Sequence, residues 1–334
     1  MENNINKRLF IIANTTHYLN VKTYIDTHPP GENFIILTIT LFNGYQHFLE
    51  RVRKDPNLSL LCILINDQNK TILNYYMEIL SNLISIKKVK FKFKFFDQIF
   101  YTNYHSWIQN YLLNQFETNK TSLISDGTAI FKIAELRKAS KEIYFEGNKI
   151  FEKILNLSPI KNLHFYSPIL LNVSQDDTLE VFSYKTSHTN RVNSKKVYIV
   201  GSPLLELGFV NYVRNQYYLQ EIRKIYKDKD ITYFAHRREK EESLKNYDFF
   251  DKVLRDNITF EERMEQEEDL PFVVISYFSS ILINLPQIYP QVHFKYIPLT
   301  KADFLSEKLQ LEYYDIKTNL DKINLPNLKP ISSS

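Results

Sequence analysis

Short apolar runs alternate with longer amphipathic stretches along this chain, and that alternation restricts the fold more than any other feature. Residues 9–13, 34–40, 58–65, 89–95, 122–124 and 141–144 read as strands. Between them, 44–53 and 72–84 place apolar residues three and four positions apart, the period of a helix. Strands separated by helices build βαβ units and a mostly parallel sheet. Lys90-Phe91-Lys92-Phe93-Lys94-Phe95 alternates with period two and predicts an edge strand with its lysines toward solvent.

The stretch 174–196 turns polar, with Ser174-Gln175-Asp176-Asp177 and then Lys185-Thr186-Ser187-His188-Thr189-Asn190-Arg191. It predicts a linker in which Asp176 and Asp177 are solvated. A second alternating series follows, with strands at 197–200, 231–235, 272–277 and 293–297. The expected fold is α/β, with two Rossmann-like domains facing a central cleft where ligands bind. Residues 1–185 form the first domain and 186–300 the second. A C-terminal helix at 303–320, within the segment 301–334, is placed to pack back on the first domain.

Composition narrows the function classes. With 334 residues, 44% hydrophobic and 24% charged, the chain has enough apolar material for two cores. A net charge of +4, from 42 basic and 38 acidic residues spread along the chain, is too mild to argue for nucleic acid, and no nucleic-acid partner is expected. It favours an anionic ligand or contact with an anionic membrane surface. The single cysteine, Cys62, lies in the apolar run 60–65, so no internal disulfide forms and burial argues against a nucleophile. Residues 1–8 are polar with no signal-peptide core behind them, and the longest apolar stretch, 272–285, is too short to span a bilayer. The reading is of a cytoplasmic chain, or one peripheral to the inner face of the membrane. Only 6 glycines are present, and no dinucleotide or P-loop fingerprint exists.

Three spots follow predicted strands, at the end where open α/β sheets hold ligands. Ser125-Asp126-Gly127 can present a carboxylate on a sharp turn. His236-Arg237-Arg238 leaves the strand at 231–235 and suits a phosphate, the alternative being a basic loop paired with Glu239, Glu241 and Glu242. Ser279-Ser280 follows the strand at 272–277, where hydroxyls and free backbone N–H groups form an anion site or simply cap the next helix. A carboxylate in one domain, with basic and hydroxyl phosphate contacts in the other, suits a metal-independent transferase acting on a nucleotide-activated sugar.

Asp126-Gly127, His236-Arg237 and Ser279-Ser280 resemble the acid-acid-Gly, His-Pro and Ser-Ser/Thr motifs of bacterial sialyltransferases. Residues 197–206, with Gly201-Ser202-Pro203 and Glu206, and the Tyr-x-x-His-x-Arg-Glu pattern at 233–239 are similar to glycosyltransferase family fifty-two, which holds lipooligosaccharide and capsule sialyltransferases. The resemblance is clearest from 122 to 285. It implies a GT-B fold, CMP-sialic acid as donor, an oligosaccharide or glycolipid acceptor, inversion at the anomeric carbon and no cofactor or metal. It further implies that Gly201, Ser202, Pro203, His236, Arg237, Arg238, Ser279 and Ser280 bind the donor, with His236, Ser279 and Ser280 at the CMP phosphate. Asp126 or Glu206 then becomes the base. Ser125 stands where the family has its first acid, and Arg237 where it has proline.

Asp228-Lys229-Asp230 has the spacing of a metal-binding Asp-x-Asp, but it precedes its strand and so falls at the wrong end of the sheet. Rival readings are a transferase on the same fold using a UDP-hexose or another nonulosonic acid, and a non-enzymatic sugar- or nucleotide-binding protein. A homodimer is compatible with each.

Overall fold

The computed structural model describes residues 6–40, 45–65, 72–125, 127–140, 155, 157, 160–186 and 190–331. The predicted strand at 141–144 and Asp126 lie outside the described residues. The chain divides into two compact units, Met1–Phe182 and Ser183–Ser334.

In the first unit the elements run β1 (Lys7–Ile12), α1 (Thr15–Thr27), β2 (Glu32–Ile39), α2 (Tyr45–Lys54), β3 (Ser59–Ile65), α3 (Ile72–Lys92), β4 (Phe95–Tyr101), α4 (Trp107–Leu113), β5 (Glu117–Ile124), α5 (Ala129–Lys138), β6 (His164–Ser167) and β7 (Thr178–Val181). They form a seven-stranded sheet in the order β3-β2-β1-β4-β5-β6-β7. Its strand pairs are parallel. Strand β1 is buried from Arg8 to Ile12, as a central parallel strand must be. It hands over to α1 where the Asn14 side chain accepts the His17 N–H and starts the helix.

Two expectations fail here. The Lys-Phe alternation at 90–95 belongs mostly to α3, which continues to Lys92, and β4 begins at Phe95. The reason is packing: Ile79, Asn82, Ile86 and Val89 are buried at helical spacing, and the Phe93 N–H still reaches the Val89 carbonyl at 2.9 Å. Asp177 is not solvated either. It is buried against Arg137, whose Nε and Nη2 donate to the two carboxylate oxygens at 2.7 and 2.6 Å. The Leu163 N–H donates to the same carboxylate at 2.9 Å, so Asp177 ties α5 and the start of β6 to β7. Cys62 is half-buried, and burial pushes its thiol up to about 12, so it is inert as a nucleophile.

The second unit runs β8 (Arg191–Val200), α6 (Tyr212–Ile225), β9 (Asp230–Phe234), α7 (Glu241–Leu244), β10 (Lys252–Leu254), α8 (Phe260–Gln266), β11 (Asp269–Ser276), α9 (Ile281–Ile288), β12 (His293–Tyr296), a short 3-10 turn at Lys301–Asp303, α10 (Glu307–Lys322) and β13 (Leu328–Pro330). Strands β7 and β8 therefore occupy much of the stretch expected to be linker. The six strands lie in the order β10-β9-β8-β11-β12-β13. All are parallel. The order reverses at β8 and β11, the switch point at which open parallel sheets bind ligands. Tyr313 of α10 is 1% exposed and packs in this unit's own core, its hydroxyl donating to the Ile297 carbonyl at 3.1 Å. No described helix is long and apolar enough to cross a membrane.

Candidate active site

Strand register in the second unit brings two of the predicted spots, and the Gly201-Ser202-Pro203 segment given by the resemblance, to one edge. Val200 of β8 pairs with Phe234 of β9 and with Ser276 of β11, so the three strands end level. Ser276 Oγ donates to the Val200 carbonyl at 2.9 Å, and the Gly201 N–H donates to the Phe234 carbonyl at 2.8 Å. The segments that follow, Gly201-Ser202-Pro203, His236-Arg237-Arg238 and Ser279-Ser280, thus leave the carboxyl edge around the switch point. Asp228 and Asp230 lie at the amino end of β9, away from this edge.

The loop after β9 is held by Glu239, whose alternative reading was an ion pair with the basic loop. Glu239 is 5% exposed. Its carboxylate accepts the Tyr233 hydroxyl at 2.6 Å and the His236 N–H at 2.5 Å. The Glu239 N–H closes the turn on the His236 carbonyl at 2.9 Å. From beyond β10, Arg255 donates to the carbonyls of Glu239 and Arg237 at 2.6 and 3.2 Å. Burial, with the nearby Glu206 charge, raises the Glu239 carboxyl to about 7 despite its hydrogen bonds and Arg255. Burial holds the Tyr233 phenol far above its ordinary value, so it stays protonated and donates.

This pinning orients His236. The Arg238 N–H donates to His236 Nδ1 at 3.1 Å, which leaves Nε2 as the protonated nitrogen of the neutral ring. Burial, and then Arg237 and Arg238, lower the imidazole to about 4. His236 at neutral pH is therefore an uncharged hydrogen-bond donor rather than a cation. Arg237 and Arg238 are exposed beside it.

Gly201 is there for space. A Cβ at this position would lie 2.6 Å from the Tyr233 hydroxyl and closer still to the Glu239 carboxylate. Both groups are buried and cannot swing aside, so the backbone approaches the Tyr233–Glu239 pair only as glycine. Ser202 and Pro203 are half-buried and begin the turn that follows. Below them the floor is aromatic, with Tyr233 stacked on Phe250 at 5.7 Å and Asn215 bridging the hydroxyls of Tyr247 and Tyr277.

Glu206 is held at the start of α7. Its Oε1 accepts the Lys240 N–H and the Ser243 hydroxyl, both at 2.9 Å. It caps α7, whose own cap residue Lys240 supplies no side-chain acceptor. At α9, Ser280 makes no side-chain cap hydrogen bond, and Ser279 Oγ accepts the Ile281 N–H only weakly at 3.4 Å. The serine pair is therefore little used for capping.

In the first unit, the residues either side of Asp126 are described. The Ser125 N–H donates to the Tyr166 carbonyl at 2.9 Å, and its carbonyl accepts Asn20 Nδ2 at 3.0 Å. Gly127 has φ +61°, the left-handed region that favours glycine. The sequence signal for Glu239, Tyr233 and Arg255 was faint. Tyr233 and Glu239 stand in the Tyr-x-x-His-x-Arg-Glu pattern, but their contact with Gly201 depends on the pairing of β8 with β9.

Parallel sheets with this reversal of strand order, one in each unit, define a class of fold, the two-unit α/β architecture of GT-B type. Solved structures share it. An α/β-galactoside α-2,3-sialyltransferase from the luminous marine bacterium Photobacterium phosphoreum matches over 98% of both chains, with TM-score 0.50 and 11% identity. TcCGT1, crystallised in complex with UDP, matches over 98% of this chain and 86% of its own, with TM-score 0.53 and 9% identity. No family model matches the sequence, and no curated protein sequence matches it.

Proposed function

We propose that this chain is an inverting, metal-independent glycosyltransferase that moves sialic acid from CMP-sialic acid to a terminal galactose-type hydroxyl of a bacterial surface glycan, lipooligosaccharide or capsule. The observation that carries the reading is the neutral, Nε2-protonated His236, pinned by Glu239 on the same sheet edge as Gly201, Ser279 and Ser280. A fixed uncharged donor beside two arginines and a helix start with spare hydroxyls is suited to a phosphate leaving group. The likeness of fold to an α-2,3-sialyltransferase supports sialic acid as the sugar.

In this reading His236 Nε2 donates to the CMP phosphate, with Arg237, Arg238, Ser279 and Ser280 completing the anion site. Asp126 takes the acceptor proton. The commitment of Glu206 Oε1 to the α7 cap supports that choice over Glu206. The position of Asp228 and Asp230 at the amino end of β9 supports transfer without a metal held by that pair.

A second reading has one observation behind it. TcCGT1, which has the higher TM-score of the two likenesses, was crystallised with UDP, so a UDP-hexose donor is the alternative. Incubating the protein with a lactose-type acceptor and, separately, CMP-sialic acid or UDP-sugars decides between them by product mass. Sialyl-lactose formation that survives a chelator is expected. Hexose transfer alone, or transfer abolished by chelator and restored by magnesium or manganese, would overturn the sialyl reading or its metal independence.

A further inference from the structure

Helix α3 has two apolar faces, and the sheet uses only one. Ile79, Ile86 and Val89 are buried together with Asn82, whose side chain bonds both the N–H and the carbonyl of Ile65 at the end of β3. On the opposite side stand Leu73, Met77, Leu80, Ile84 and Phe91, exposed by 72%, 60%, 53%, 46% and 90%. At about 100° per residue these five fall within roughly 40° of a single line along the helix, and the row is about 27 Å long. Exposed apolar residues are ordinarily scattered singly, whereas a continuous row marks an interaction surface.

The charges beside the row identify what it meets. Lys87, Lys88, Lys90 and Lys92 crowd the last two turns of α3, against a single acid in the helix, Glu78. Ile84, Lys87, Lys88, Phe91 and Lys92 line one surface hollow of about 450 Å³. The nearly bare Phe91 ring thus projects from within a collar of lysines, whose stems extend the apolar surface while their ammonium groups reach outward. A second copy of the chain would bring the same lysines to this face and only Glu78 to answer them. An anionic bilayer offers both a lipid interior for the apolar row and phosphates for the collar.

We propose that the outer face of α3 docks in the plane of an anionic phospholipid membrane. Leu73, Met77, Leu80, Ile84 and Phe91 enter the boundary between headgroups and acyl chains, and Lys87, Lys88 and Lys92 contact lipid phosphates. The helix lies on the membrane and does not span it. The inference is independent of the donor sugar and stands whether or not the sialyl reading holds.

The test is co-sedimentation of the full chain with vesicles of phosphatidylcholine alone and of equal parts phosphatidylcholine and phosphatidylglycerol, at low and high salt. Binding to the mixed vesicles is expected, with loss at high salt and little binding to the neutral ones. The double variant Lys87→Glu/Lys88→Glu should weaken the association more than tenfold. Met77→Ser/Phe91→Ser should weaken it about tenfold or more while leaving vesicle charge preference intact. Because these side chains are exposed, a thermal melt matching the parent confirms that each variant is folded. Equal binding to neutral and anionic vesicles, no binding to either, or parent-like binding by both variants would overturn the proposal. So would a concentration-dependent dimer that Met77→Ser/Phe91→Ser dissolves, which would assign the face to a second copy.

Discussion

Glu239→Gln isolates the cost of holding a carboxyl under the His236 loop. In the folded chain burial holds Glu239 at about 7, against 4.5 for an unburied glutamate. Between these values the unfolded chain has released a proton that the folded chain keeps. Stability from this site is therefore greatest below pH 4.5 and declines as pH rises through 7. At 1.36 kcal/mol per pH unit the decline amounts to about 3 kcal/mol. Glu239 is 5% exposed, so solvent screening takes little from that figure. Glutamine keeps the shape, offering its amide oxygen to the His236 N–H and its NH2 to the Tyr233 hydroxyl, but it does not titrate. Urea unfolding of the parent and the variant across this pH range measures the difference directly. Parent stability minus variant stability should fall by about 3 kcal/mol from acid to mildly alkaline pH. A difference that stays flat to within about 1 kcal/mol would refute the assignment of Glu239 as a buried carboxyl raised to about 7.

Gly201→Ala drives a methyl group into the Tyr233–Glu239 pair and should destabilise the second unit by about 3 kcal/mol, combining overpacking with a strained hydrogen bond. Urea unfolding reads it, and a loss under about 1 kcal/mol would mean that the pair yields easily. His236→Ala should lower the rate of sialyl transfer by a factor on the order of 10²–10³, and a parent-like rate removes the residue from the mechanism. By NMR the parent's His236 ring should be neutral at pH 7 with Nε2 protonated, and its titration midpoint should lie near 4. Glu206→Ala should cost about 1 kcal/mol of stability through loss of the α7 cap, with transfer retained. A fall in transfer by a factor on the order of 10²–10⁴ in that variant, with parent-like rates in Asp126→Ala, would make Glu206 the base instead. Asp177→Ala leaves Arg137 buried without its carboxylate and should cost about 3–5 kcal/mol, measured by thermal or urea unfolding.

The α/β class and the division into two Rossmann-type halves were legible because parallel strands are buried on both faces and appear as short, nearly continuous apolar runs. Strands β8, β9, β11 and β12 end within one residue of where their apolar runs end. For the same reason His236 and Ser279 could be singled out as residues past strand ends, whereas Gly201 entered only through the family resemblance. Local pattern failed where a distant contact decided the outcome. The Lys-Phe alternation from Lys90 to Phe95 has a strand's period, but burial of Ile86 and Val89 against the sheet carries the helix through Lys92. Asp177 sits in a polar stretch that gives no hint of Arg137, forty positions earlier. Gly201 lies thirty-eight residues before Glu239, and only the pairing of β8 with β9 sets them against each other. Periodicity along the chain determined which segments become strands and where their ends offer a site. Tertiary structure alone decided the tautomer of His236, the raised titration of Glu239 and the employment of Glu206 as a cap, because each depends on burial and on hydrogen-bond geometry that exist only once the strands have paired and their loops have closed.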